Sequence, residues 1–265
     1  MSRTFPLVLP ALLVCAVSVA QPRATPPAAP AAAAPTAPPA KPPVKLVDHV
    51  QLAAQGQPVE LHPFGGGAFG LFEVDKPVEV ELRTKFTLRW VDVRPRSAAI
   101  KPIIDADHGA VRFTMKKAVP LTVEFNGDIR RVVHLFAYTP EKDAPKPGTP
   151  GVRAFGPGVH EAGIIELEDG ETLYLAPGAW VKGAVRAYGK KNVTIRGRGV
   201  LDAEGLERWN AAKQASAPPA PPPDAGAGPG RRRRGSRNVI YLEKTENARV
   251  EGITLFNAPS WTFLI

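Results

Sequence analysis

Cysteine is all but missing: the chain of 265 residues has one, Cys15. A disulfide-stapled scaffold and a cysteine-ligated zinc site are thereby excluded. Histidine is sparse as well. His49, His62, His108, His134 and His160 are scattered, with no two at the close spacing of a zinc-binding pair, so neither a metal nor another cofactor is expected. No long apolar run occurs beyond Phe5–Val19, which is short for a membrane span and broken by Pro6 and Pro10. Between Leu46 and Tyr138 no 3.6-residue period is found, which argues against a helical bundle. A Gly-x-Ser-x-Gly elbow is missing too. Gly197-Arg-Gly199-Val-Leu-Asp202 is a poor dinucleotide loop, because Asp stands at the third glycine position and no βαβ pattern surrounds it.

A net positive charge is also missing from the part that would fold. The formal charge is +9, yet residues 1–45 and 211–237 account for all of it, and the remainder is neutral. A nucleic-acid-binding surface on the folded part is therefore not expected. The same segments hold 17 of the 30 prolines.

What is present divides the chain. Residues 1–20 read as an export signal: Arg3, an apolar stretch, and Ser18-Val19-Ala20 as a small-x-small cleavage site. The protein is thus expected to be secreted or periplasmic, without a membrane span. A lipoprotein signal using Cys15 fits less well, because Val14 is bulky where a small residue is needed. Residues 21–45 alternate Pro and Ala and read as an extended spacer.

From residue 46 to about 140 the pattern has period two. Val78, Val80 and Leu82 alternate with charged residues, as do Phe86, Leu88 and Trp90, then Val111, Phe113 and Met115, then Leu121, Val123 and Phe125. One buried and one wet face suits antiparallel strands, and a β-sandwich is expected. Asn126-Gly127 offers the positive φ angles of a hairpin between the Leu121 and Val133 runs. Residues 140–150, with four prolines, read as a domain boundary.

Residues 151–265 consist of short apolar pieces separated by glycines. Asn192-Val-Thr-Ile-Arg-Gly197 is echoed by Asn247-Ala-Arg-Val-Glu-Gly252, each followed three residues on by an apolar pair, Val200-Leu201 and Leu255-Phe256. The offset is 55 residues, or about 28 without the low-complexity insert 211–237, and such a period points to a solenoid. The insert ends in Arg231–Arg234 and reads as a solvated loop.

Phe155-Gly-Pro-Gly-Val-His160, Gly170-Glu-Thr-Leu-Tyr-Leu-Ala-Pro-Gly-Ala-Trp-Val-Lys-Gly183, Asn192 to Asp202 and Val250 to Trp261 resemble the opening of polygalacturonase-like glycoside hydrolases. Dextranase-like enzymes, with a sandwich before the helix, are also similar. The resemblance implies an all-β protein: an N-terminal sandwich (46–140), then the first coils of a right-handed parallel β-helix (151–265). It further implies a polysaccharide substrate, general acid and base carboxylates, no metal, and a monomer if full length. The family's Asn-Thr-Asp, Asp-Asp and Gly-His segments do not occur here, and the one Arg-x-Lys, Arg83-Thr-Lys85, lies in the sandwich part ahead of the coils. The chain is therefore expected to be the inactive front part of a longer enzyme. Two rivals are a polysaccharide lyase on the same helix and a non-catalytic, carbohydrate-binding β-helix. The sandwich alone could also serve as a binding module.

Few residues are candidates for chemistry. Glycoside hydrolysis needs two carboxyl groups. Asp202 and Glu204, two apart in an extended strand, would have Cα atoms about 6.6–6.8 Å apart on one face. The competing interpretation is a charged turn, since Ala203 and Gly205 mark a bend. Trp209, beside Arg208, offers a ring that matches the C–H face of a sugar. Trp90 and Trp180 read as core, and Trp261 as packed between coils.

Overall fold

The computed structural model describes residues 46–146, 148–216 and 237–264. The export-like segment, the Pro/Ala spacer and the Arg231–Arg234 run lie outside the described residues. All described residues belong to one unit, residues 43–265.

The first half contains strands β1 (Val50–Ala54), β2 (Gln57–Val59), β3 (His62–Phe64), β4 (Gly67–Glu73) and β5 (Val78–Thr84), then β6 (Val91–Arg94), β7 (Ile103–Asp105), β8 (Ala110–Met115), β9 (Leu121–Phe125) and β10 (Val132–Tyr138). They form two five-stranded sheets, β2-β1-β5-β8-β7 and β3-β4-β10-β9-β6. The alternation explains the packing. Val80 and Leu82 pair with Phe113 and Val111 and are buried, as are Leu121, Val123 and Phe125 from the second sheet. Together they fill one apolar core. All pairings are antiparallel except β4 with β10, which is parallel. β9 and β10 pair antiparallel across the loop that Asn126 and Gly127 open, both at positive φ.

One expected strand is not formed. Phe86, Leu88 and Trp90 lie outside any ladder, and Trp90 is 46% exposed rather than core. Asn126 takes over the bonding of that segment. Its side chain accepts from the Arg89 amide at 2.7 Å and donates to the Thr87 carbonyl at 2.8 Å. A side chain that bonds backbone in this way competes with the ladder.

The second half contains β11 (Val152–Phe155), β12 (Gly158–Glu166), β13 (Thr172–Leu175), β14 (Ala179–Tyr188), β15 (Thr194–Gly197) and β16 (Val200–Asp202). A helix follows, α1 (Leu206–Ser216), then β17 (Ile240–Glu243), β18 (Arg249–Glu251), β19 (Thr254–Phe256) and β20 (Phe263–Leu264). Every pairing here is parallel. One ladder runs β11-β13-β15-β18; the other is built on β14, which pairs with β12, β16 and β17, continued by β19 and β20. From β11 to β16 the chain visits the two ladders in turn, whereas β16 and β17, and again β19 and β20, follow each other in the ladder built on β14. Leu173, Leu175, Val181, Val185, Ile195, Leu201, Ile240 and Leu242 fill the space between them.

The echoed motifs sit on top of each other. Thr194 pairs with Arg249 and Ile195 with Val250, a step of 55 residues. Asn192 and Asn247 both adopt positive φ, and the Asn247 amide donates to the Asn192 side-chain oxygen at 2.6 Å. The following apolar pairs are offset by one, however: Leu201 pairs with Leu255, because Gly197-Arg198-Gly199 is one residue longer than Gly252-Ile253. The earlier steps, Val152 to Thr172 and Thr172 to Thr194, are shorter than the 28 residues expected. Residues 211–216 continue α1 instead of beginning a loop, since Ala, Lys and Gln are good helix formers. Trp261 is 75% exposed, not packed.

Gly197 shows why the motif needs glycine. Its φ is +133°, and a Cβ there would run into the Leu175 carbonyl of the strand beneath. We expect Gly197→Ala to cost about 3 kcal/mol or more, read by denaturant unfolding. A loss below ~1 kcal/mol would mean the stacked passes yield easily at this point.

Candidate functional site

Period two along β14 turns Ala179, Val181 and Gly183 inward and Trp180 and Lys182 outward. An outward indole needs cover. The sandwich supplies it from β3 and β4. His62 lies 4.5 Å from the Trp180 ring, between centroids, and Phe69 stacks on the indole at 6.2 Å and 16°. Phe256, on β19, meets Phe69 at 5.2 Å and Trp180 edge-on at 5.7 Å. Phe69 is 2% exposed. Such pairs contribute roughly 0.5–1.5 kcal/mol each beyond the area they bury.

Asp202 lies behind this seam. It is 2% exposed and accepts three hydrogen bonds: from the Trp180 indole at 2.9 Å, the Asn257 amide at 2.8 Å and the Glu204 backbone N–H at 2.9 Å. A buried carboxylate is tolerable when it is satisfied like this. The chain bends after Asp202, so Glu204 projects into solvent instead of sharing a face with it. Lys182 then bridges Glu204 at 3.7 Å and Glu161 at 3.4 Å. Both glutamates are mostly exposed.

Trp209 and Arg208 are on α1. The Trp209 indole lies over Gly163 and Gly205 and packs partly on the ladder core, while Arg208 is exposed beside it. Neither lines the cavity at the seam. That cavity, about 510 Å³, opens along the seam, bordered by Glu60, His62, Tyr138, Trp180, Lys182 and Arg198. Sequence reasoning missed these six. Trp180, read as core from the sequence, instead stands on the outward face of β14, as do Lys182, Arg186 and Tyr188.

A second set of contacts fixes the segment between the halves. Arg196 donates to Asp143 at 2.8 and 2.9 Å and to Glu141 at 3.1 Å, and the Tyr174 hydroxyl donates to Glu141 at 2.8 Å. Hydrogen bonding from Arg196 holds the Asp143 carboxyl down at about 2. Burial, then the bond to Glu141, pushes the Tyr174 hydroxyl up to about 12. Nearby, Arg198 reaches the Thr139 carbonyl at 3.3 Å and lies over the Tyr138 ring at 5.8 Å. The proline-rich boundary is thus tied to the ladders by charge.

Among the described residues no group of three or more His, Cys, Asp or Glu is placed to hold a metal ion, and no helix is long and apolar enough to cross a membrane. No family model and no curated protein matches the chain. Among solved structures, Dex49A from Penicillium minioluteum is similar over 82% of this chain, with 15% identity and a TM-score of 0.49. The match takes in 55% of that chain, so this protein spans little more than half its length.

Two predictions follow from the seam. Asp202→Ala leaves three donors without their acceptor and should cost roughly 2–4 kcal/mol, with loss of the near-ultraviolet tryptophan signal; a change within about 0.5 kcal/mol would contradict the assignment. Burial among rings lowers the His62 pKa from its ordinary 6.5, partly opposed by Glu60. The unfolded chain then protonates first as pH falls, so stability is level above about 6.5 and declines below it. His62→Phe should flatten that decline between pH 7 and pH 5, although His134, also lowered by burial, retains its own contribution. An unchanged slope would remove His62 from the account.

Proposed function

We propose that the chain is the front part of an exported glycoside hydrolase that acts on a polysaccharide. In this account a sandwich precedes the first coils of a right-handed parallel β-helix. The observation that carries the proposal is where the family-like segments fall. Phe155–His160, Gly170–Gly183, Asn192–Asp202 and Val250–Trp261 occupy successive passes of the two parallel ladders. That placement supports the reading, because segments of one resemblance lie stacked on one another. The 265 residues bind sugar polymer but do not cleave it; the reacting carboxyl groups belong to later coils.

A specific observation keeps the non-catalytic reading in play. Asp202 is fully committed to Trp180, Asn257 and the 204 amide, and Glu161 and Glu204 are bridged by Lys182. No described carboxyl pair is thus arranged for acid and base work at the cavity.

The test follows the gene past the codon for Ile265 and assays the product. The frame should continue through Asn-Thr-Asp and Asp-Asp segments, and the longer protein should release reducing ends from a polysaccharide while the 265-residue chain releases none. Unsaturated, ultraviolet-absorbing products would replace hydrolysis with elimination. A stop codon directly after Ile265 would leave only a sugar-binding protein.

A further inference from the structure

The seam cavity has two cations at its border, and both already have partners. Lys182 is already held between Glu161 and Glu204, at 3.4 and 3.7 Å. Arg198 is spent on backbone carbonyls, Gly197 at 3.0 Å and Thr139 at 3.3 Å, with its guanidinium over Tyr138. A further carboxylate, Glu60, stands at the rim. Glu161 and Glu204, which flank Lys182 outside the cavity lining, together with Glu60 outnumber the two basic groups. A sugar carboxylate entering here would have to compete with existing partners and face the like charge of Glu60.

The remaining surface suits a different ligand. Leu71 and Val159 present apolar surface beside the Trp180 indole, Ala179 and Val200 close the floor, and Gly158, Gly178 and Gly199 contribute bare backbone. Apolar patches next to an aromatic match the C–H face of a pyranose. Glu60 and the Tyr138 hydroxyl can bond sugar hydroxyls, which donate as well as accept. The volume of about 510 Å³ falls in the range of ligand clefts, roughly 300–1,000 Å³.

We propose that the seam cavity is a subsite for an uncharged sugar residue of a neutral polysaccharide, and that it does not take uronic acids. This inference rests on the carbohydrate reading above and narrows its substrate class. Specificity then comes from hydroxyl bonding and apolar contact, with charge excluding acidic polymers.

Affinity electrophoresis of the full chain tests it, with gels containing dextran, a soluble β-glucan or polygalacturonate. Val159→Glu is the informative variant. Val159 is 67% exposed at the cavity, so the change adds bulk and charge there without disturbing a core. The native protein should be retarded by at least one neutral polymer and not by polygalacturonate. Val159→Glu should weaken that retardation at least fivefold while its circular dichroism and unfolding midpoint stay unchanged. Retardation by polygalacturonate alone would overturn the inference and leave the carbohydrate reading standing. Neutral binding that Val159→Glu does not alter would remove the cavity as the site. No retardation by any polymer would count against both.

Discussion

The structure depends on one buried carboxylate. Asp202 is the last residue of a short parallel strand, and its oxygens accept from the indole of Trp180, the amide of Asn257 and the backbone at 204. The indole bond sets where the Trp180 ring lies, and that ring is what His62 and Phe69 of the sandwich cover. Without a fixed ring the two halves would keep the Phe69–Phe256 pair and the bonds that Tyr174, Arg196 and Arg198 make to residues 138–143. Charge pairs that are partly wet contribute little by comparison. The seam thus couples two apolar cores that share no side chains.

Stacking imposes the other constraint. Each pass of the chain must lie flat on the one before, so backbone groups approach too closely for a side chain at Gly197, and left-handed corners fall to Asn192 and Asn247. Irregularity is pushed outward. α1 leaves the stack between β16 and β17, yet Leu206 and Trp209 bring it back onto the core. The cavity is a by-product of the same geometry, lying where a flat sandwich sheet and the outer face of β14 do not fully close.

Much of this was legible in the sequence. Alternation at Val78–Leu82, Val111–Met115 and Leu121–Phe125 located three sandwich strands, because period two reports a half-buried sheet directly. The Asn-to-Gly echo located stacked passes, since glycine and asparagine mark backbone that other residues resist. The strand expected at Phe86–Trp90 failed because alternation is blind to a side chain such as Asn126 that captures the backbone from 37–39 residues away. Asp202 was noticed for its charge, whereas its partners Trp180 and Asn257 are 22 and 55 residues distant and only stacking brings them together. The cavity residues come from both halves, and no local pattern joins Glu60 and His62 to Lys182 and Arg198.

The most direct test of the seam as the organising contact is urea unfolding of the full chain, followed in parallel by two probes. Far-ultraviolet circular dichroism reports the sheets of both halves, and near-ultraviolet dichroism is sensitive to the packed Trp180 ring. A single cooperative transition with coincident midpoints is predicted, because neither core should persist once the seam opens. Two separated transitions, with the tryptophan signal lost before the sheets, would show that the halves fold independently and that the Asp202–Trp180 contact is incidental.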